Sequence, residues 1–225
     1  MHLSLPHLLN LVLHVAAGVA AICLGLALLA WAKGTPAHRR RGRIFVLLAL
    51  LVCASGAVGT VFFRFIPLFA VLTLLVTYQL LSGWHAVYTK AAGPNRIDAL
   101  LAVCAAAWAI GLMPGLLAGE TGVVVYSTMG TLALLLAYDA ARWCFPRRWH
   151  AALWRYEHIY KLVASLFGML SSATGNLLRV GQPWSQLLPS LLGLAVIAVC
   201  IRREHQARSG AALSPPESDW RRSLR

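Results

Sequence analysis

His14, His38, His85, Asp139 and His158 are the side chains of this chain best suited to chemistry. Imidazole nitrogens and a carboxylate drawn together from different segments suit a borderline divalent metal such as zinc or iron. Two histidines on opposing helices can also grip a haem iron from both faces. No local motif announces a metal enzyme, because neither HxxxH nor HExxH occurs. The chain also lacks a GxSxG elbow, a P-loop and a dinucleotide fingerprint. Its five cysteines include no CxxC pair and read as small apolar fillers.

The elements that must position these groups are greasy. Of 225 residues 59% are hydrophobic and 12% charged, whereas soluble domains carry about a quarter charged. A spanning helix needs about 20 mostly apolar residues. Seven segments qualify or nearly so: 8–31, 44–63, 66–88, 99–117, 123–141, 158–178 and 185–201. The expected fold is therefore all-α, a polytopic bundle of seven transmembrane helices over residues 1–202. Residues 203–225 are expected to form a mobile, polar tail. No cleavable signal peptide is expected, because no lysine or arginine precedes Leu8 and the first apolar run is far longer than a signal core.

The formal net charge of +13 could suggest nucleic acid. The placement of the charge argues against that partner, since the basic residues sit between apolar runs. With seven crossings, 18 of the 20 lysines and arginines fall on one side, and only Arg64 and Arg179 on the other. Positive residues mark the cytosolic side. The expected orientation is amino terminus outside and carboxyl terminus cytosolic, in a bacterial inner membrane. The arginines of "HRRRGR" would then meet anionic lipid headgroups.

Polar stripes indicate which faces look inward. Tyr78, Ser82 and His85 share a side of the third helix; Thr128, Leu135, Asp139 and Arg142 share one on the fifth. The sixth carries His158, Lys161, Ser165, Gly168, Ser172, Gly175, Asn176 and Arg179, a stripe that lipid would not tolerate. Helices three, five and six bring His85, Asp139 and His158 to one level, with His38 close by. His14 lies apart, roughly 9 Å below the opposite end of helix one. His7 and His14 are the only histidines of that outer half, and both lie on helix one. A stacked pair of haems is therefore not expected, while a single haem between His85 and His158 stays open. The same residues also admit a purely structural account. Asp139 would pair with Arg142, Glu157 with Lys161, and Asp98 would cap helix four.

The stretch "LHVAAGVAAICLGLALLAWAKGTPAHRRRGRIFV" resembles the opening of a family of bacterial multipass membrane proteins known only as a domain of unknown function. The shared features are His14, Gly18 and Gly25, then His38-Arg39 and Gly42-Arg43 in an HRxxGR-like loop. "LSGWHAV", "AYDAARW" and "WRYEHIYKLVASLFGMLSSATGN" resemble later blocks, so the likeness reaches about Arg202. It implies a fold and a membrane but no activity. It shifts weight to His14, His38, Asp139 and His158, because His85 stands where the family more often has arginine. It also implies that Gly42 lets helix two start in a tight turn. His38 and Arg39 would fold back over helices five and six, with Asp139 and Glu157 as partners for the loop arginines.

Three functions stay open on the sequence. One is a metal- or haem-holding protein with ligands among His14, His38, His85, Asp139 and His158, supported by Arg39, Arg43, Arg142, Glu157 and Lys161. Another is a small transporter with a polar path along Ser165, Ser172 and Asn176. The third is an accessory protein whose polar groups only lock helices together.

Overall fold

The computed structural model describes residues 4–118 and 122–213. Seven α-helices fill them: α1 Leu5–Ala30, α2 Pro36–Val58, α3 Pro67–Thr89, α4 Arg96–Leu117, α5 Val123–Ala141, α6 Arg147–Leu177 and α7 Trp184–Leu213. No strand occurs among the described residues. Six of the helices, all but α6, are long and apolar enough to cross a membrane. The helix α6 has 31 residues, about 46 Å at the usual rise. Length does not set it apart; the polar and charged residues along its first half do.

Helix boundaries follow local chemistry. Thr35 caps α2 by accepting the backbone N–H of His38 at 3.1 Å, and Pro36 opens the first turn, where a missing N–H costs nothing. The turn before it is made by Gly34 at φ +76, a conformation that disfavours a side chain. Lys33 closes α1 from outside, its ammonium donating to the carbonyls of Leu28 and Leu29. The segment His38–Arg43 is therefore helical and not a loop. Gly42 sits within α2 and makes no turn, which corrects the expected fold-back of His38 and Arg39. Arg39, Arg40, Arg41 and Arg43 point to the surface, and Arg41 lies 4.1 Å above the Trp31 ring.

At the start of α4, Asn95 accepts the N–H groups of Ile97 and Asp98, while Asp98 accepts that of Asn95, a reciprocal capping box. The cap itself is Asn95, one turn earlier than expected, and Asp98 takes the reciprocal position inside the first turn. Asn95→Ala should cost about 1 kcal/mol of stability, read as a lower thermal midpoint in detergent, and should loosen His85, which contacts Asn95 Oδ1 at 3.2 Å.

Two further boundaries differ from expectation. α6 begins at Arg147 rather than His158, and α7 runs unbroken past Arg202 to Leu213. The extensions hold each other. Arg155 pairs with Glu204 at 2.9 Å, and Arg208 donates to the Ala152 carbonyl at 2.9 Å. The stretch 203–213, expected as mobile tail, is thus helical; residues 214–225 lie outside the described residues.

The central helices are α3 and α6. One apolar cluster joins α1, α2, α3 and α6 around Ala21, Val46, Ala49, Leu80, Leu166 and Phe167. A second joins α3, α4 and α5 around Val71, Leu75, Tyr78, Ala105, Leu112 and Leu132. α3 belongs to both, and α4 and α5 touch each other far less than either touches α3. Large apolar residues such as Ile110 and Leu134 cover the outside, the arrangement that lipid contact requires.

Candidate functional site

Four charged side chains are buried together where α3 and α5 end and α6 is in its first half. They are Asp139 of α5, Arg142 just after its end, and Glu157 and Lys161 of α6; Lys161 is 0% and Glu157 1% exposed. Lys161 Nζ donates to both oxygens of Asp139, each at 2.7 Å. Arg142 lies 3.3 Å from Asp139 Oδ1 and 2.8 Å from Glu157 Oε2. Two phenols complete the carboxylates. Tyr78 of α3 donates to Asp139 at 2.5 Å, and Tyr138 donates to Glu157 at 2.9 Å. Two anions against two cations leave the group formally neutral. Only such pairing makes charge tolerable in a low-dielectric interior.

The sequence pairing of Asp139 with Arg142 holds, whereas that of Glu157 with Lys161 does not. Glu157 goes to Arg142 and Tyr138, and Lys161 goes to Asp139. The expected partnership of Asp139 and Glu157 with the arginines of the first basic segment is likewise replaced by this quartet.

The quartet depends on close approach of α3 to α6 at Gly83. A β-carbon there would lie 2.6 Å from Lys161 Cβ and 3.4 Å from the Leu162 backbone nitrogen. The Gly83 carbonyl accepts from His158 Nδ1 at 3.0 Å. A carbonyl cannot donate, so this bond places the His158 proton on Nδ1.

The five candidate ligands do not converge. Asp139 is occupied by Lys161, Arg142 and Tyr78. His158 is tied to α3 backbone. His85 is drawn to the α4 cap, with Nε2 3.2 Å from Asn95 Oδ1 and 3.6 Å from Asp98 Oδ2. His38 lies near the start of α2, its Nδ1 buried without a partner. His14 is in the other half of the bundle, its Nδ1 2.9 Å from Ser55 Oγ. That hydroxyl reaches the carbonyls of Leu51 and Val52 at 2.8 and 3.0 Å, so its proton goes to the backbone and His14 donates to it. Among the described residues no group of three or more His, Cys, Asp or Glu side chains is placed to hold a metal. Nor does a porphyrin fit between His85 and His158, because α3 and α6 are in near-backbone contact at Gly83 between them.

The expected polar path along α6 is also interrupted. Ser165 is fully buried and bonded to its own Leu162 carbonyl. Asn176 is exposed and donates back to Ser172 O. Ser171, between them, donates to the Gln186 carbonyl of α7. These are helix-locking bonds of the kind serines make in apolar bundles.

What the arrangement leaves open is a cleft of about 200 Å³ between α3, α4 and α5. It is lined by Tyr78, Ser82, Asp98, Asp139 and Trp143 with three alanines and Val103. Of the quartet, Asp139 borders this space. Ala99, Ala102 and Ala140 on its wall are too small to fill it.

No protein-family model, curated protein or solved structure matches this chain. Function rests on the site alone.

Sequence reasoning missed two residues of it, Tyr138 and Gly83. Tyr138 is adjacent to Asp139, and neighbours on a helix face different directions, so no stripe joined it to Glu157. Gly83 carried the one available signal, a glycine in the interior of a long helix ("LSGWH"). Outside the site, His150 was overlooked as well. It is 5% exposed, and its ring fills the space where a side chain on Gly93 (φ +82) would stand.

Proposed function

We propose that this chain is a seven-span protein of a bacterial inner membrane that binds or carries a small ligand at its basic, cytosolic end, in the cleft between α4 and α5. The observation that carries the reading is that Asp139, held from behind by Lys161 and Arg142, forms part of the wall of that cleft. A fixed, neutralised carboxylate beside an open space is a preorganised binding surface.

The 18-to-2 division of lysine and arginine supports the orientation, with anionic headgroups as the partner of the exposed arginines. A crossing by α6 is supported by its length and by the pairing of its charges within the bundle, away from lipid. The likeness around His14 and the "HRRRGR" segment supports a bacterial multipass family and adds no activity. A metal or haem at the His/Asp cluster finds no support in the way those side chains are spent. The transporter reading moves from α6 to the cleft. One observation favours the accessory reading as a rival: every charge of the quartet already has a partner.

Chemical access separates the two. Ser82 lines the cleft, while Ser165 is sealed between helices. In membranes, Ser82→Cys should react with methyl methanethiosulfonate, a small neutral reagent, at least tenfold faster than Ser165→Cys, followed by peptide mass spectrometry. Equal inertness of the two would leave a helix lock and no binding site.

A further inference from the structure

We infer that the cleft takes a primary ammonium group carried on an apolar chain, entering sideways between α4 and α5. This rests on the binding reading above and names the ligand class.

Charge comes first. The quartet cancels, so its field at the cleft is that of a dipole. Asp98 adds a negative charge that no lysine or arginine answers among the described ion pairs. Its sole ion-pair neighbour there is His85, at 3.6 Å, and that contact counts only when the ring is protonated. The Asp98 side chain is 9% exposed, so the charge is largely removed from water. Its Oδ2 accepts the Asn95 N–H at 2.9 Å. Its Oδ1 takes none of the described hydrogen bonds. A carboxylate oxygen on the wall of a cavity, accessible and free to accept, calls for a donor with positive charge. A ligand whose only charged group is a phosphate or carboxylate would meet repulsion from Asp98 instead.

Shape comes second. Ser82 and Tyr78 direct their protons to the Tyr78 carbonyl and to Asp139, so each hydroxyl oxygen is free to accept. These acceptors sit deep, and the remaining wall is Ala99, Ala102, Val103 and Ala140. Val103 and Trp143 are 64% and 52% exposed, which sets the mouth on the outer flank of the bundle, where lipid lies. Trp143 supplies an aromatic face at that mouth, and such faces attract ammonium groups. The volume holds a head group and a few methylenes, with the rest of the chain left in the bilayer. Two sources share this chemistry: the ethanolamine head of a phospholipid and a free alkylamine.

Protection of Ser82→Cys tests it on the full chain in nanodiscs. Hexylamine should slow its labelling by methyl methanethiosulfonate with a half-effect at least tenfold below that of hexanol, and hexanoate should not protect. Asp98→Asn keeps the capping acceptor but not the charge. It should bring hexylamine to the level of hexanol while leaving the unprotected rate unchanged. Ala102→Leu, which fills the cleft without altering charge, should abolish protection by both. Native mass spectrometry reads the source: retention of phosphatidylethanolamine over phosphatidylglycerol, lost in Asp98→Asn, indicates the lipid, and its absence alongside hexylamine protection indicates a free amine. Equal protection by hexylamine and hexanol, or an unchanged preference in Asp98→Asn, overturns the ammonium assignment while binding survives. An unreactive Ser82→Cys removes the binding reading itself.

Discussion

Lys161→Met lowers stability by about 3–5 kcal/mol, the usual cost of removing one partner from a buried ion pair. The fall is read as a reduced thermal midpoint of the detergent-solubilised protein. The reason lies in the count of charges. With Lys161 gone, Asp139 and Glu157 share Arg142 alone, and a net negative charge remains in a site that is almost water-free. Asp139→Leu produces the opposite imbalance, with two cations against one carboxylate, and should cost a similar amount. The double variant Asp139→Leu/Lys161→Met restores neutrality and leaves Arg142 with Glu157. Replacing a complete buried pair by apolar residues is often neutral, so the double variant should recover most of the loss. Additive losses in the double variant would show that the two residues do not act as a pair, and the quartet would lose its meaning.

Gly83→Val is the second large effect. Its β-carbon would stand 2.6 Å from Lys161 Cβ and 3.0 Å from Leu162 Cδ2, closer than packed atoms tolerate. Overpacking costs about 1–3 kcal/mol. Valine in a helix recovers less than the roughly 1 kcal/mol that alanine gains over glycine, so Gly83→Val should sit near the top of that range and Gly83→Ala well below it. Parting α3 from α6 also lengthens the His158–Gly83 bond and shifts Lys161 away from Asp139. Gly111 serves as the control, because a β-carbon there meets nothing within 4 Å. Gly111→Ala should be neutral or stabilising by up to about 1 kcal/mol. Similar losses at Gly83 and Gly111 would mean that helix propensity or lipid contact, and not the α3–α6 seam, governs both sites.

These two expectations converge on α6. Its polar stripe is visible from residue spacing alone, and the burial of Lys161 and Ser165 agrees with the argument that lipid could not bear them. The partners were not visible in the same way. Spacing of four along a helix suggests Glu157 with Lys161, yet each reaches across to α5. An inter-helix partner forms one short bond in an apolar setting, whereas an i,i+4 contact at a helix surface contributes only a few tenths of a kcal/mol. Where long side chains of α5 and α6 meet across the space between the two helices, the cross-helix bond wins.

The basic segment after α1 shows the same limit from the other side. Residue type alone marks Lys33–Arg43 as interfacial. The pattern "GTPAH" also contains a complete helix start, with Gly34 for the turn, Thr35 as cap and Pro36 in the first turn. Charge obscured that signal, since arginines suggest a loop when hydropathy is the guide. The helix begins there because capping is local and is indifferent to whether the next residues are in lipid or water.

Helix number and helix character were thus settled by sequence, because hydropathy and the 3.6-residue period act over a few turns of one chain segment. Which charges pair, where His158 spends its proton, and that a cleft opens beside Asp139 were decided by tertiary structure. Those outcomes depend on how near two distant segments can come, a distance set at α3 and α6 by the single missing side chain of Gly83, and on side chains such as the three alanines of the cleft wall, too small to fill it.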